Sequence, residues 1–326
     1  MTRFFKWLAS LVLTALLLWA VLRQVDLRQT LRYLDQARPL YLAAALAVSF
    51  ATNCWLAAAK WRFIVLRQGL ALAFREAFML KMASGLIKSV LPFRSGEASR
   101  IVYLKRAYAF PLAFSSVSLI VELGSNILVF AVMIVLFVVL LNANPGGCLF
   151  PLVLALVLSG LAMALAARPA NRRRIIRWAE RIPSARLKAA AVSLLSAPRR
   201  FSGKAWAVVL GYSLLIQSGK FATFYLINRS LGIELSAPSY LIVLPLSILV
   251  STVPLTFLGM GIREYSLVEL IPLYDPVSPS LLLGGALLFS LVEYIFPALL
   301  GIFWLKPFFD GLARSRGSRG GCPTTR

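Results

Sequence analysis

Apolar runs of membrane-crossing length constrain this chain more than any other feature. Six are read directly: Phe4–Leu22, Leu40–Ala59, Leu112–Leu141, Cys148–Ala167, Trp206–Ile227 and Leu281–Leu305. A helix of about 20 apolar residues crosses a hydrocarbon core of roughly 30 Å and satisfies its own backbone there. The expected fold is an all-α polytopic integral membrane protein. Composition agrees, since 60% of the 326 residues are hydrophobic, against about 45–50% in soluble domains.

Two further apolar stretches are shorter and end in helix breakers. Ala77–Leu91 carries Lys81 and Lys88 and stops at Leu91-Pro92-Phe93-Arg94-Ser95-Gly96-Glu97. Tyr240–Val253 stops at Pro254, and a tip containing Gly259 and Gly261 leads into Arg263 and Glu264. Unwound backbone at membrane depth is tolerated only where protein or a lined cavity surrounds it. Both are therefore expected to be broken or re-entrant helical hairpins. Each precedes a long helix with one acid, Glu122 or Glu293. The recurrence divides a single transmembrane domain, 1–326, into candidate half-repeats 40–167 and 205–305. A basic linker, 168–204, joins them and a basic tail, 306–326, follows. Inverted repeats with broken helices are a transporter architecture.

Lys and Arg total 35 against 12 Asp and Glu, and there is no histidine. The basic residues fall mostly between spans, where they orient the chain and attract anionic headgroups; no nucleic-acid partner is expected. The segment Arg168–Lys204 has Glu180 as its only acid, which assigns it to the cytoplasm and both termini with it. The loop Arg23–Arg38 is the one that dissents. Phe4–Leu22 lacks a small-x-small cleavage site and is expected to stay as an anchor, and Arg172–Ile182 to lie as an amphipathic helix on anionic lipid. Without histidine, Ser-His and His-base chemistry are excluded. Cys54, Cys148 and Cys322 are scattered and no phosphate-binding loop is present, so no cofactor, metal site or catalytic residue is expected.

A charge at the bilayer centre costs about 2.5–3.5 kcal/mol on insertion scales, which makes the acids of the apolar segments candidates: Glu97, Glu122, Glu264, Glu269 and Glu293. Ser115, Ser118, Glu122 and Asn126 recur every three or four residues and share a helix face, as do Ser290, Glu293 and Pro297. Lys81, Ser84 and Lys88 share another, with Arg94 and Arg100 just beyond. With Glu97 this group is net positive and suits a phosphate or other anionic headgroup. Lys81 is expected to snorkel to the interface. At the opposite tip Arg263 is the lone cation, and Ser213, Gln217 and Lys220 form a further polar stripe. For Glu97 and Glu264 the plainer alternative is dipole complementation at a helix start; for the stripes it is interhelical hydrogen bonding.

The segment LPFRSGEASRIVYLKR, followed by SSVSLIVELGSNIL, resembles the first signature of the lysylphosphatidylglycerol synthase transmembrane family, the flippase-like domain family. Its Pro, Gly-Glu, Arg, basic exit and helix Glu correspond to Pro92, Gly96, Glu97, Arg100, Lys105, Arg106 and Glu122. VPLTFLGMGIREYSLVELI resembles the second, with Pro254, Gly259, Gly261, Arg263 and Glu264. The resemblance runs from about Phe4 to Trp304. It implies a bacterial inner-membrane protein that handles an anionic phospholipid, a glycolipid, or a polyprenyl or hopanoid lipid. The expectation is a membrane-only member, since the chain given ends at Arg326 without a soluble aminoacyl-transfer domain. The expected function is a lipid flippase in which Lys88, Arg94 and Arg100 hold the headgroup on the cytoplasmic side and Arg263 receives it outside. Glu97 and Glu264 would hold the arginines, and Glu122 and Glu293 would take up protons in turn. The alternatives are a non-transporting partner of a lipid- or glycan-modifying enzyme, and a membrane-embedded transferase acting on a lipid-linked group.

Overall fold

The computed structural model describes residues 30, 32–33, 35–90, 95–141, 201–252 and 260–317. The expected spans Phe4–Leu22 and Cys148–Ala167, the stretch Arg172–Ile182, most of the basic linker and Arg94 lie outside these residues.

All regular structure among the described residues is helical. Helix α1, Pro39–Arg67, is 29 residues long and contains a π-helical segment, Phe50–Leu56. The expected span end at Ala59 is corrected, since the helix runs on to Arg67: no proline or glycine interrupts the run until Gly69, and Lys60 finds acceptors inside the protein. Next come α2, Phe74–Val90, α3, Ser95–Tyr108, and α4, Leu112–Leu140. Helix α5, Gly203–Ser230, starts on Ser202, whose hydroxyl accepts from the Ala205 N–H. The shorter apolar helix α6, Ser239–Ser251, is followed by α7, Ile262–Leu270. Helix α8 begins as Pro279–Ser290, passes through a π segment, Leu291–Ile295, and continues as Phe296–Gly317.

Helices α1, α4, α5 and α8 are long and apolar enough to cross a membrane. Val139, Leu140 and Phe303 expose 62%, 63% and 78% of their surface, which marks a lipid-facing belt rather than a wet one. The protein is an integral membrane protein.

Helix α2 packs on α3 and along α8, α6 packs on α7, and α5 lies along α1. At one end of the bundle the Arg38 N–H donates to the Ser230 carbonyl at 2.9 Å, and the Asp275 carboxylate accepts from Ser236 and Ser239. At the other, Arg62 Nε donates to the Leu72 carbonyl at 2.8 Å and Tyr103 stacks on Phe308 with ring centroids 5.3 Å apart. Arg67, Arg75, Lys105, Arg106 and Lys204 gather at this second, basic end. Hairpin α2–α3 enters the bundle from the basic end and hairpin α6–α7 from the opposite one. Gly96 seats the first: a Cβ there would lie 2.3 Å from both the Lys88 nitrogen and the Ser84 oxygen of the α2 backbone.

Candidate functional site

Three basic side chains converge on Glu122 where α1, α2, α3 and α4 meet, two on its carboxylate and one on its backbone carbonyl. Glu122 sits on the polar stripe of α4, and its two oxygens are taken by different helices. Lys81 Nζ of α2 donates to Oε1 at 2.6 Å, and Arg100 of α3 donates to Oε2 at 2.9 Å. The Arg100 guanidinium also lies 5.0 Å from the ring centroid of Trp61, a cation–π contact that desolvation strengthens. Lys60 of α1 donates to the Glu122 carbonyl at 3.2 Å, to Asn126 Oδ1 at 2.8 Å and to Ser213 Oγ of α5 at 2.7 Å. Lys60, Arg100 and Glu122 are all buried, at 1%, 2% and 4% exposure.

The cluster pairs the Lys81 and Arg100 cations with one carboxylate, and the Lys60 amine beside them finds only neutral acceptors. A buried charge persists when it is paired and hydrogen-bonded, and here one carboxylate compensates an ammonium group and a guanidinium. Arg100 Nε has no hydrogen-bond partner. Chemically, the site has a surplus of donors and of positive charge.

The expected clamp of Arg100 by Glu97 is corrected. With Gly96 against the α2 backbone, Glu97 in the first turn of α3 faces Lys88, at 3.4 Å. Arg100, about one turn further on, faces α4 and Glu122 instead. Lys81 does not snorkel outward; its ammonium is bound by the buried Glu122.

At the opposite tip the expected pairing of Arg263 with Glu264 is present. Arg263 donates to Glu264 Oε1 at 2.8 Å and to Ser290 Oγ at 2.6 Å, and Ser290 hydrogen-bonds Glu264 in turn. Glu264 Oε2 accepts from the Gly261 N–H at 2.7 Å. Gly261 has φ +86°, in the left-handed region that favours glycine, and it starts α7 with the carboxylate folded back over its first turn. The Tyr294 ring lies 4.1 Å from the Arg263 guanidinium carbon. Arg263 and Glu264 are 0% and 1% exposed, and Arg263 Nε and one terminal nitrogen have no partner.

Glu293 joins neither group. It is 1% exposed and both of its carboxylate oxygens lack a hydrogen bond. Its polar neighbours are Ser49, Thr223, Lys220 and Arg263. Helix α5 links the clusters through Ser213, Gln217, Lys220 and Thr223, so that polar side chains run from Arg100 to Arg263 through an otherwise apolar bundle.

The structure thus unites Arg100 with Glu122, Lys88 with Glu97, and Arg263 with Glu264, and leaves Glu293 apart. Lys60, Lys81, Trp61 and Tyr294 are contributors that sequence reasoning did not place in the site. For Lys60 the signal was present, in the unbroken helix-forming run through Arg67. For Tyr294 there was none, because its direction depends on the π segment that contains it.

A family model described as "Lysylphosphatidylglycerol synthase TM region" matches residues 7–301, nearly the whole chain. No match was found among curated proteins.

Proposed function

The chain belongs to the lysylphosphatidylglycerol synthase transmembrane family, whose name ties it to membrane lipid, and from that premise we propose that it is a lipid translocase moving an anionic headgroup across the bacterial inner membrane. The observation that carries this reading is the surplus of positive charge around Glu122. Lys81 and Arg100 share one carboxylate and Lys60 binds the same residue's backbone carbonyl, and a phosphate-bearing headgroup supplies the missing negative charge through charge-assisted hydrogen bonds. Lys88, partly exposed beside Glu97, stands near the tip of the same hairpin, with Arg94 close by in sequence. Arg263 offers unused donors at the far hairpin, and the polar residues of α5 lie between. The basic end faces the cytoplasm with both termini, following the bias of Lys and Arg. Movement of one hairpin-bearing half against the other exposes the track to each side in turn.

The test is headgroup movement in vesicles holding the purified protein and a fluorescent phosphatidylglycerol, read by quenching of outer-leaflet label. One charge-assisted hydrogen bond is worth about 1.5–3 kcal/mol, so Arg100→Ala should slow movement about tenfold or more while Arg100→Lys retains part of it. Lipids that co-purify with wild type and not with Arg100→Ala should include an enriched anionic species. An unchanged rate with identical lipid profiles would sink the headgroup assignment and favour a non-transporting partner of a lipid-modifying enzyme.

A further inference from the structure

Glu293 is an acid that the headgroup reading does not use. Every other acid in the polar track has a cation on it: Glu97 has Lys88, Glu122 has Lys81 and Arg100, and Glu264 has Arg263. Glu293 is as buried as Glu122 and Glu264, and neither of its oxygens forms a hydrogen bond. An ionised carboxylate in that state gives up its hydration with no hydrogen bond in return and only the more distant Lys220 and Arg263 to offset it, which is costly. A neutral carboxyl avoids most of it and gains a donor. A recipient is beside it: Thr223 Oγ1 is buried, unpartnered and a neighbour of this carboxylate.

The charged and titratable groups facing Glu293 are few. Helix α1 presents Cys54, α5 presents Lys220 and α7 presents Arg263, while α6 has no charged residue and Tyr240 as its titratable one, and α8 adds between Pro279 and Leu305 only Tyr294, which packs on Arg263. Arg263 is bound by Glu264. The Lys220 ammonium stands 5.6 Å from the centroid of the Phe130 ring and makes no ion pair with Glu293 among the described residues. Lys81, which also reaches toward Cys54, is held by Glu122.

The backbone around Glu293 is unusual in the same place. Its π segment, Leu291–Ile295, lies across from the π segment of α1. Ser49 Oγ donates to the Val292 carbonyl at 3.1 Å, and Asn53 Nδ2 donates to the Glu293 carbonyl at 2.7 Å. Such π insertions are frequent at functional sites. Because α1 already occupies those two carbonyls, they are poorly placed to serve as ligands of a metal cation, which would want several oxygens.

We propose that Glu293 is the proton-carrying group of this molecule, neutral in the conformation described here and able to release its proton to water when α1 and α8 part. One O–H bond forms or breaks at one carboxyl oxygen, and the proton comes from and returns to the aqueous phase. The inference gives the proposed translocase its coupling ion, but its test reads the proton and involves neither lipid nor transport.

Infrared difference spectroscopy of the wild-type protein in vesicles at neutral pH should show the carbonyl stretch of a buried carboxylic acid. Glu293→Gln should lose that band, and Glu122→Gln and Glu264→Gln should keep it. In wild type, where folding is not at issue, a hydrophobic carbodiimide should label Glu293, with peptide mapping locating the adduct and the yield falling as pH rises. Absence of the band in wild type, its survival in Glu293→Gln, its loss on adding sodium ions, or no carbodiimide adduct at Glu293 would each overturn the proposal. A negative result here leaves the headgroup site standing, and failure of the transport assay leaves this one standing.

Discussion

Glu122 grips two cations through separate oxygens and presents its carbonyl to the Lys60 amine. Removing one partner of a buried pair costs about 3–5 kcal/mol, because the partner's charge stays behind. Glu122→Ala should therefore lower unfolding stability by about that much, measured by denaturant titration in micelles, and adding Lys81→Met should recover part of the loss. Equal stability of wild type and Glu122→Ala would mean that the cluster is not compensated through this residue. The acids themselves were legible in the sequence, because a carboxylate inside an apolar run stands out. Their partners were not. Glu97 and Glu264 follow glycine-bearing tips in the same way, yet one takes a lysine from the neighbouring helix and the other its own adjacent arginine. Which cation an acid meets depends on the helix across from it, and local spacing does not encode that.

At the level of helices, the apolar runs reported α4 and α5 closely and α1 less well, since Lys60 marks a loop only if its ammonium needs water. The π segments were hidden for a different reason. Spacing by three and four puts Ser290, Glu293 and Pro297 on one face of a regular helix. In α8 the turn between them is π-helical, and Ser290 serves Arg263 whereas the carbonyl of Glu293 meets α1. The α2–α3 hairpin offers a cleaner test of element packing. Gly96→Ala places a methyl group 2.3 Å from two α2 backbone atoms, and overpacking of this kind costs about 1–3 kcal/mol. Gly85→Ala, with nothing within 4 Å of the new carbon, should instead be neutral or stabilising by up to about 1 kcal/mol through helix propensity. Unfolding transitions of the two variants should therefore move apart; a Gly96→Ala transition at or above wild type would contradict the close seating of α3.

For the molecule as a whole, sidedness is the property that loops and packing share. Exposed Ala73 lies at the basic end and exposed Glu234 at the other. In a background without Cys54, Cys148 and Cys322, Ala73→Cys should react with an impermeant thiol reagent only in inside-out vesicles, and Glu234→Cys only in intact cells or right-side-out vesicles. The reverse pattern would invert the orientation. The surplus charge at Glu122 has an electrical consequence as well. A full crossing of the membrane is worth about 2.3 kcal/mol per elementary charge per 100 mV. Lys81 and Arg100 against one carboxylate leave one positive charge, which at half depth would feel about 1.2 kcal/mol per 100 mV. A vacant site is then pulled toward the negative side of an energised membrane, and one filled by a monoanionic headgroup is not. In the proposed translocase, voltage would therefore act on the empty site, and the return stroke rather than the loaded one would be the step that a membrane potential drives.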